Sequence, residues 1–146
     1  MKRGDVFWAD LAPRSGSEQS GRRPVAVVSH NGFNQAPNWR SIIVVPISTS
    51  KSQIRRGLTI VPLPKGIAAM PQASVALCHQ VTTLDRSKLI KQIGTLPPNV
   101  LNEVEQGLKA AMDLDSIVND IRRRSGICRF IAAGVQRVSS WRRALR

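Results

Sequence analysis

The stretch PPNVLNEVEQGLKAAMDL, residues 97–114, decides the fold. Val100, Leu101, Val104, Leu108, Ala111 and Met112 recur at threes and fours, the spacing that stacks side chains on one face of an α-helix. Pro98 suits a first helical turn, where its missing N–H costs nothing, and Glu103 and Glu105 fall on the outer face nearer the positive end of the helix dipole. The sequence predicts one amphipathic helix here.

The chain before it has a different rhythm. Alternating and β-branched runs, broken by Gly, Pro and Asn, predict strands over 5–11 (DVFWADL), 25–30 (VAVVSH), 41–47 (SIIVVPI), 57–63 (GLTIVPL), 74–81 (SVALCHQV) and 91–96 (KQIGTL). NGFNQAPNWR, between the second and third, is rich in turn formers and reads as a long loop with room for a short helical turn. Strands first and a helix last exclude an alternating parallel α/β sheet. They predict a mainly β fold, a β-rich α+β domain built as a small barrel with a C-terminal helix.

Beyond Asp115 the texture changes again. Ile117, Ile121, Cys128, Ile131, Val135, Val138 and Leu145 mark an apolar stripe among arginines, weakened by Gly126 and Gly134, each costing about 1 kcal/mol inside a helix. The 146 residues therefore divide into a domain over 1–115 and a basic extension over 116–146, helical or disordered. The net charge of +13 is uneven: residues 1–115 carry 14 Lys and Arg against 8 acids, and the extension carries 8 arginines against Asp120 alone. Such a surplus points to a polyanionic partner, with nucleic acid the default.

Cys78 and Cys128 lie fifty residues apart without metal or redox spacing, and Cys78 reads as a small core residue. The acids and histidines are scattered, so neither a metal site nor a cofactor is expected. No run approaches a spanning helix and MKRGDVFW meets acid too early for a signal peptide, so a cytoplasmic protein without membrane contact is expected.

Four blocks, RGDVFWADL, GSEQSGRRPVAVVSHNGFN, VVPISTSK and LCHQVTTLDRSKL, together resemble the MazF/PemK family of bacterial toxin endoribonucleases, in order through about residues 2–114. The resemblance implies an SH3-like barrel of the MazF/CcdB type that forms a homodimer and binds single-stranded RNA. It also implies metal-free cleavage leaving a 2′,3′-cyclic phosphate and a 5′-hydroxyl, silenced by an antitoxin with a flexible acidic segment. The alternative on the same fold is a growth inhibitor that cuts no RNA, like the gyrase poison CcdB, since fold does not fix function.

RNA carries its own nucleophile, so such an enzyme needs positioning, proton transfer and charge stabilisation. Arg23, set by Pro24 at the edge of a core run, supplies a planar fork for a phosphate whose charge grows in the transition state. By the resemblance its hydroxyl partner is Ser48, with Thr49 as the neighbouring candidate; local backbone bonding is the other use of both. Glu18 takes the 2′-hydroxyl proton, orients Arg23, or forms a loop ion pair. The candidate RNA contacts are Gln19, Arg22, His30, Asn31, Trp39, Lys51 and Gln80. Arg22 is open between phosphate contact and plain surface, Trp39 between base stacking and pinning its loop, and Gln80 between reading a base edge and holding a turn. His79 lies in an apolar run and reads as a packing residue.

Overall fold

The computed structural model of the chain describes residues 1–13, 15–50 and 57–114. Met1–Met112 form one compact unit. The predicted extension from residue 116 and the candidate Lys51 lie outside the described residues.

The elements follow in the order β1 (Asp5–Asp10), β2 (Arg22–Val27), α1 (Asn31–Gln35), β3 (Ser41–Ser48), β4 (Ile60–Leu63), β5 (Ser74–Leu77), β6 (Thr82–Asp85), β7 (Leu89–Thr95) and α2 (Pro98–Met112). The strands run antiparallel along the path β4-β5-β3-β2-β1-β7, with β6 pairing the first half of β3. The mainly β class and the closing helix are as the sequence predicts. Closure is not: β4 and β7 end the path without pairing each other among the described residues, so the sheet is a curved open one rather than a sealed barrel.

Several boundaries differ from expectation, among them the start of β4, which a 3₁₀ turn over Gly57–Thr59 delays to Ile60, and three others have a clear physical reason. β2 begins three residues early because the ladder to β1 continues through Trp8↔Pro24, Ala9↔Arg23 and Asp10↔Arg22. It stops at Val27, since Ser29 and His30 turn the chain into α1; the His30 Nδ1 accepts the Gly32 N–H and caps that helix. The run 74–81 is broken by a one-turn 3₁₀ helix over Cys78–Gln80, after which β6 forms as an additional strand.

Alternation sorts the side chains into two layers. Val6, Ala26, Val45, Ile47 and Ala76 face α2, whose Val100, Val104 and Leu108 close the larger core. Ala9, Leu11, Val25, Val27, Ile42 and Val44 form a second cluster on the other face. Burying each Val, Leu or Ile of this kind contributes roughly 1.5–3 kcal/mol, which is what holds a domain of this size together.

Two prolines shape the end of the sheet. Pro46 pairs with Val25 at the last rung of the β2–β3 ladder, and Pro24 stands one residue beyond it. Neither has an N–H to extend the pairing. From there β3 swings to β5, pairing Ile47↔Ala76 and Ser48↔Val75. The ends of β2 and β3 are thereby left open, and these ends carry Arg22, Arg23, Ser48 and Thr49.

Candidate active site at the open strand ends

Beyond the last β2–β3 pair, Val25↔Pro46, β2 runs on to Arg23 and Arg22 and β3 to Ser48, with Thr49 after it. Arg23 and Ser48 share the face of Val25 and Pro46; Arg22 and Thr49 share the opposite face with Trp8, Pro24 and Ile47. The open ends thus carry two guanidinium and two hydroxyl side chains.

On the first side the loop before β2 comes down over the strands. The Arg23 Nε donates to the Ser20 carbonyl at 2.9 Å, fixing the root of the fork. Gln80, from the 3₁₀ turn after β5, grips the same loop twice: its Oε1 accepts the Gln19 N–H at 3.1 Å and its Nε2 donates to the Ser17 carbonyl at 3.2 Å. A cavity of about 340 Å³ opens there, bordered by Glu18, Gln19, Pro46, His79, Gln80 and Thr82. The Gln19 Oε1 is buried without a hydrogen-bond partner, an acceptor left for a donor that enters.

On the second side a cavity of about 260 Å³ is bordered by Trp8, Arg22, Arg23, Ile47, Thr49 and Met70, among others. Both Arg23 and Thr49 border it, while Ser48 borders a neighbouring hollow with Thr49 and Ser50. Strand alternation sets Arg23 on the face of Val25 and Ser48 on that of Pro46, while the cavity that Arg23 borders is shared with Thr49. Ser48 is nearly enclosed and its Oγ accepts the Ser50 N–H, which leaves its own O–H to donate; Thr49 is exposed.

The remaining candidates stand apart from these cavities. His30, Asn31 and Trp39 belong to the connection between β2 and β3, at the end of β3 opposite Ser48. The Asn31 Oδ1 accepts the Arg3 N–H, and the Trp39 ring stacks on Phe33 with centroids 4.7 Å apart while its Nε1 donates to the Ser41 carbonyl. Arg86 pins the segment, its Nε donating to the Trp39 carbonyl and a terminal nitrogen to that of Asn34 at 3.0 Å.

His79 is the residue that sequence reasoning misplaced. It is exposed on the 3₁₀ turn and borders the cavity of Glu18, because the apolar run ends at Cys78 and the turn rotates the next side chain outward. The flanking Gln80 was the only local sign. Among the described residues no three His, Cys, Asp or Glu converge as a metal site, and no helix is long and apolar enough to cross a membrane.

The two perturbed acids lie elsewhere. The hydroxyl and N–H of Ser87, with Arg40 beside them, lower the Asp85 carboxyl to about 2; burial pushes the Cys78 thiol up to about 12.

The profile of one family, described as PemK-like, MazF-like toxin of type II toxin–antitoxin system, matches residues 2–112. The chain is 30% identical over 114 residues to endoribonuclease MazF2 of Mycobacterium bovis, spanning 78% of this chain and 98% of that one. It is 31% identical over 117 residues to endoribonuclease MazF of Staphylococcus saprophyticus, spanning 80% and 95%. The crystal structure of MazF from Deinococcus radiodurans superposes with a TM-score of 0.65 at 26% identity, covering 78% of this chain and 97% of that one.

Proposed function

The chain belongs to the family of PemK-like, MazF-like toxins of type II toxin–antitoxin systems, and from that membership we propose a metal-independent, sequence-selective endoribonuclease that cuts single-stranded RNA. The observation that supports the chemistry is the Arg23 fork, its Nε held by the carbonyl of Ser20 in the loop that carries Glu18, at the strand ends where Thr49 borders the same cavity and Ser48 precedes it.

In this reading the ribose 2′-oxygen attacks the adjacent phosphorus, the bond to the 5′-oxygen breaks, and the products are a 2′,3′-cyclic phosphate and a 5′-hydroxyl. Glu18 takes the proton released by the 2′-hydroxyl, and His79, bordering the same cavity, returns one to the departing 5′-oxygen. Arg23 and a hydroxyl from the end of β3, Ser48 or the neighbouring Thr49, donate to the non-bridging oxygens as their charge rises. A charge-assisted fork on a rigid strand does this without reorganising, and losing one such donor costs on the order of 10²–10³ in rate.

Binding of an antitoxin through an acidic segment, and pairing of two copies, complete the proposal; the family description and the basic chain support the first. Incubating purified protein with a long single-stranded RNA in EDTA tests the nuclease. Discrete fragments with cyclic phosphate ends are expected, with Arg23→Ala inactive and its circular dichroism unchanged. Intact RNA together with arrested DNA synthesis in cells would point instead to the gyrase-directed alternative.

A further inference from the structure

We propose that the cavity on the far side of the strand ends, between Trp8, Arg22, Ile47, Thr49, Met70 and Gln72, is a pocket for one unpaired base of the RNA, next to the phosphate held at Arg23. The inference rests on the nuclease reading and extends it to Trp8, Arg22, Met70 and Gln72, which line this cavity together with Arg23 and Thr49 but take no part in the cleavage step.

The lining has the composition a nucleotide requires. Its apolar lining comes from Ile47 and Met70 of the larger core and from Trp8, which the sheet leaves half-buried instead of enclosed. The Arg22 guanidinium carbon stands 5.8 Å from the centroid of that ring, so an aromatic face and a cation already sit together in the lining. Thr49, Gln72 and Ser74 add polar residues to the lining. A flat heterocycle inserts against the ring and the apolar lining, the amide and hydroxyl meet its edge, and the guanidinium meets the phosphate attached to it.

Connectivity gives the register. Arg22 and Arg23 are consecutive in β2 and project to opposite faces, so a strand of RNA crossing the open end meets one guanidinium on each side. The ladder that would block this passage is the one ended by Pro24 and Pro46. An acidic peptide would satisfy Arg22 but leave the Trp8 ring and the apolar lining without a flat partner, which favours a base.

An abasic scan of a cleaved RNA reads this out. Each nucleotide around the scissile bond is replaced in turn by an abasic ribose, and KM is measured for the wild type and for Trp8→Leu, Arg22→Gln and Gln72→Ala. One position flanking the cut is expected to raise KM by about 5- to 100-fold in the wild type, the loss of one stacked base. In the variants the intact and abasic RNAs are expected to converge. Arg22→Gln and Gln72→Ala carry the same readout if Trp8→Leu fails to fold. A penalty of the same size in wild type and variants overturns the pocket, as does protection of its residues by an acidic peptide and not by RNA. A wild type that cleaves no RNA fails at the first step and takes both readings down; cleavage with an unaltered scan removes the pocket alone.

Discussion

Gly107 of α2 faces Cys78 so closely that a Cβ on the glycine would stand 2.7 Å from the cysteine Sγ and 3.3 Å from its Cβ. The helix lies down on the 3₁₀ turn at that point, and the Cys78 thiol reaches the Val104 carbonyl at 3.6 Å. Alanine would ordinarily favour a helix interior by about 1 kcal/mol over glycine. Here Gly107→Ala is expected to lower stability by about 1–3 kcal/mol, because neither the helix nor the turn can give way cheaply. Urea denaturation checks this, and Cys78→Ala combined with Gly107→Ala should recover much of the loss, since the two sites share one contact.

Burial of the same thiol sets a pH limit. With a folded pKa of about 12 against an ordinary value of 9.0, the folded chain holds the proton that the unfolded chain releases. Its contribution is intact below about pH 9 and declines as pH rises toward about 12. In a Cys128→Ser background, native protein at pH 8 is expected to react with a thiol reagent only at the rate of unfolding. Reaction at the rate of a free thiol would contradict the buried placement.

Gly94 of β7 passes directly under a strained turn. A Cβ there would lie 2.5 Å from the Ala68 carbonyl oxygen, and Ala68 and Ala69 both have left-handed backbones, at φ 49° and 58°. The obstacle is backbone, so Gly94→Ala is expected to cost about 2–3 kcal/mol, at the upper end for an overpacked site. Thermal denaturation should show a Tm lower by about 8–15 °C for a domain of this size.

How much of this was legible beforehand follows the range of the interactions. The helix over 98–112 declared itself because its periodicity is local, and most strands did so because alternation is local too. β6 did not: its four residues follow a 3₁₀ turn, and its partner is β3, some forty residues earlier. Closure was misjudged because pairing of β4 with β7 depends on curvature that no segment encodes by itself. At the site, Arg23 and Ser48 could be named from the family motif, but that they share a face needed the register. That His79 and Trp8 border cavities was not legible because the turn at Cys78–Gln80 and the shared opening beside Arg22 exist only in the folded chain.

Arg86 ties down the connection that holds Phe33 and Trp39. Its guanidinium spreads over the carbonyls of Phe33, Asn34, Ala36 and Trp39. Arg86→Ala is expected to cost about 1.5–3 kcal/mol, the range for hydrogen bonds from a charged donor. Arg86→Lys should recover little, because one ammonium cannot reach both sides of the fan. Hydrogen exchange confined to residues 31–40 distinguishes this local loosening from global unfolding.

Gln80 offers a sharper division between holding and reading. Its carboxamide bonds the loop backbone at Gln19 and Ser17, across more than sixty residues of sequence, and so sets where Glu18 stands relative to Arg23. If that is its role, Gln80→Ala misplaces Glu18 while leaving the RNA contacts in place. Displacing a catalytic group by about 1 Å can cost on the order of 10²-fold, so kcat is expected to fall by about 10- to 100-fold while KM changes little. A residue that reads a base edge would behave oppositely, raising KM for the preferred sequence and relaxing the choice of cleavage site. Because Gln80 is only half-buried on its turn, the melting temperature should stay close to that of the wild type. A variant with unchanged kcat and altered cleavage positions would therefore move Gln80 from the loop clamp to the RNA interface.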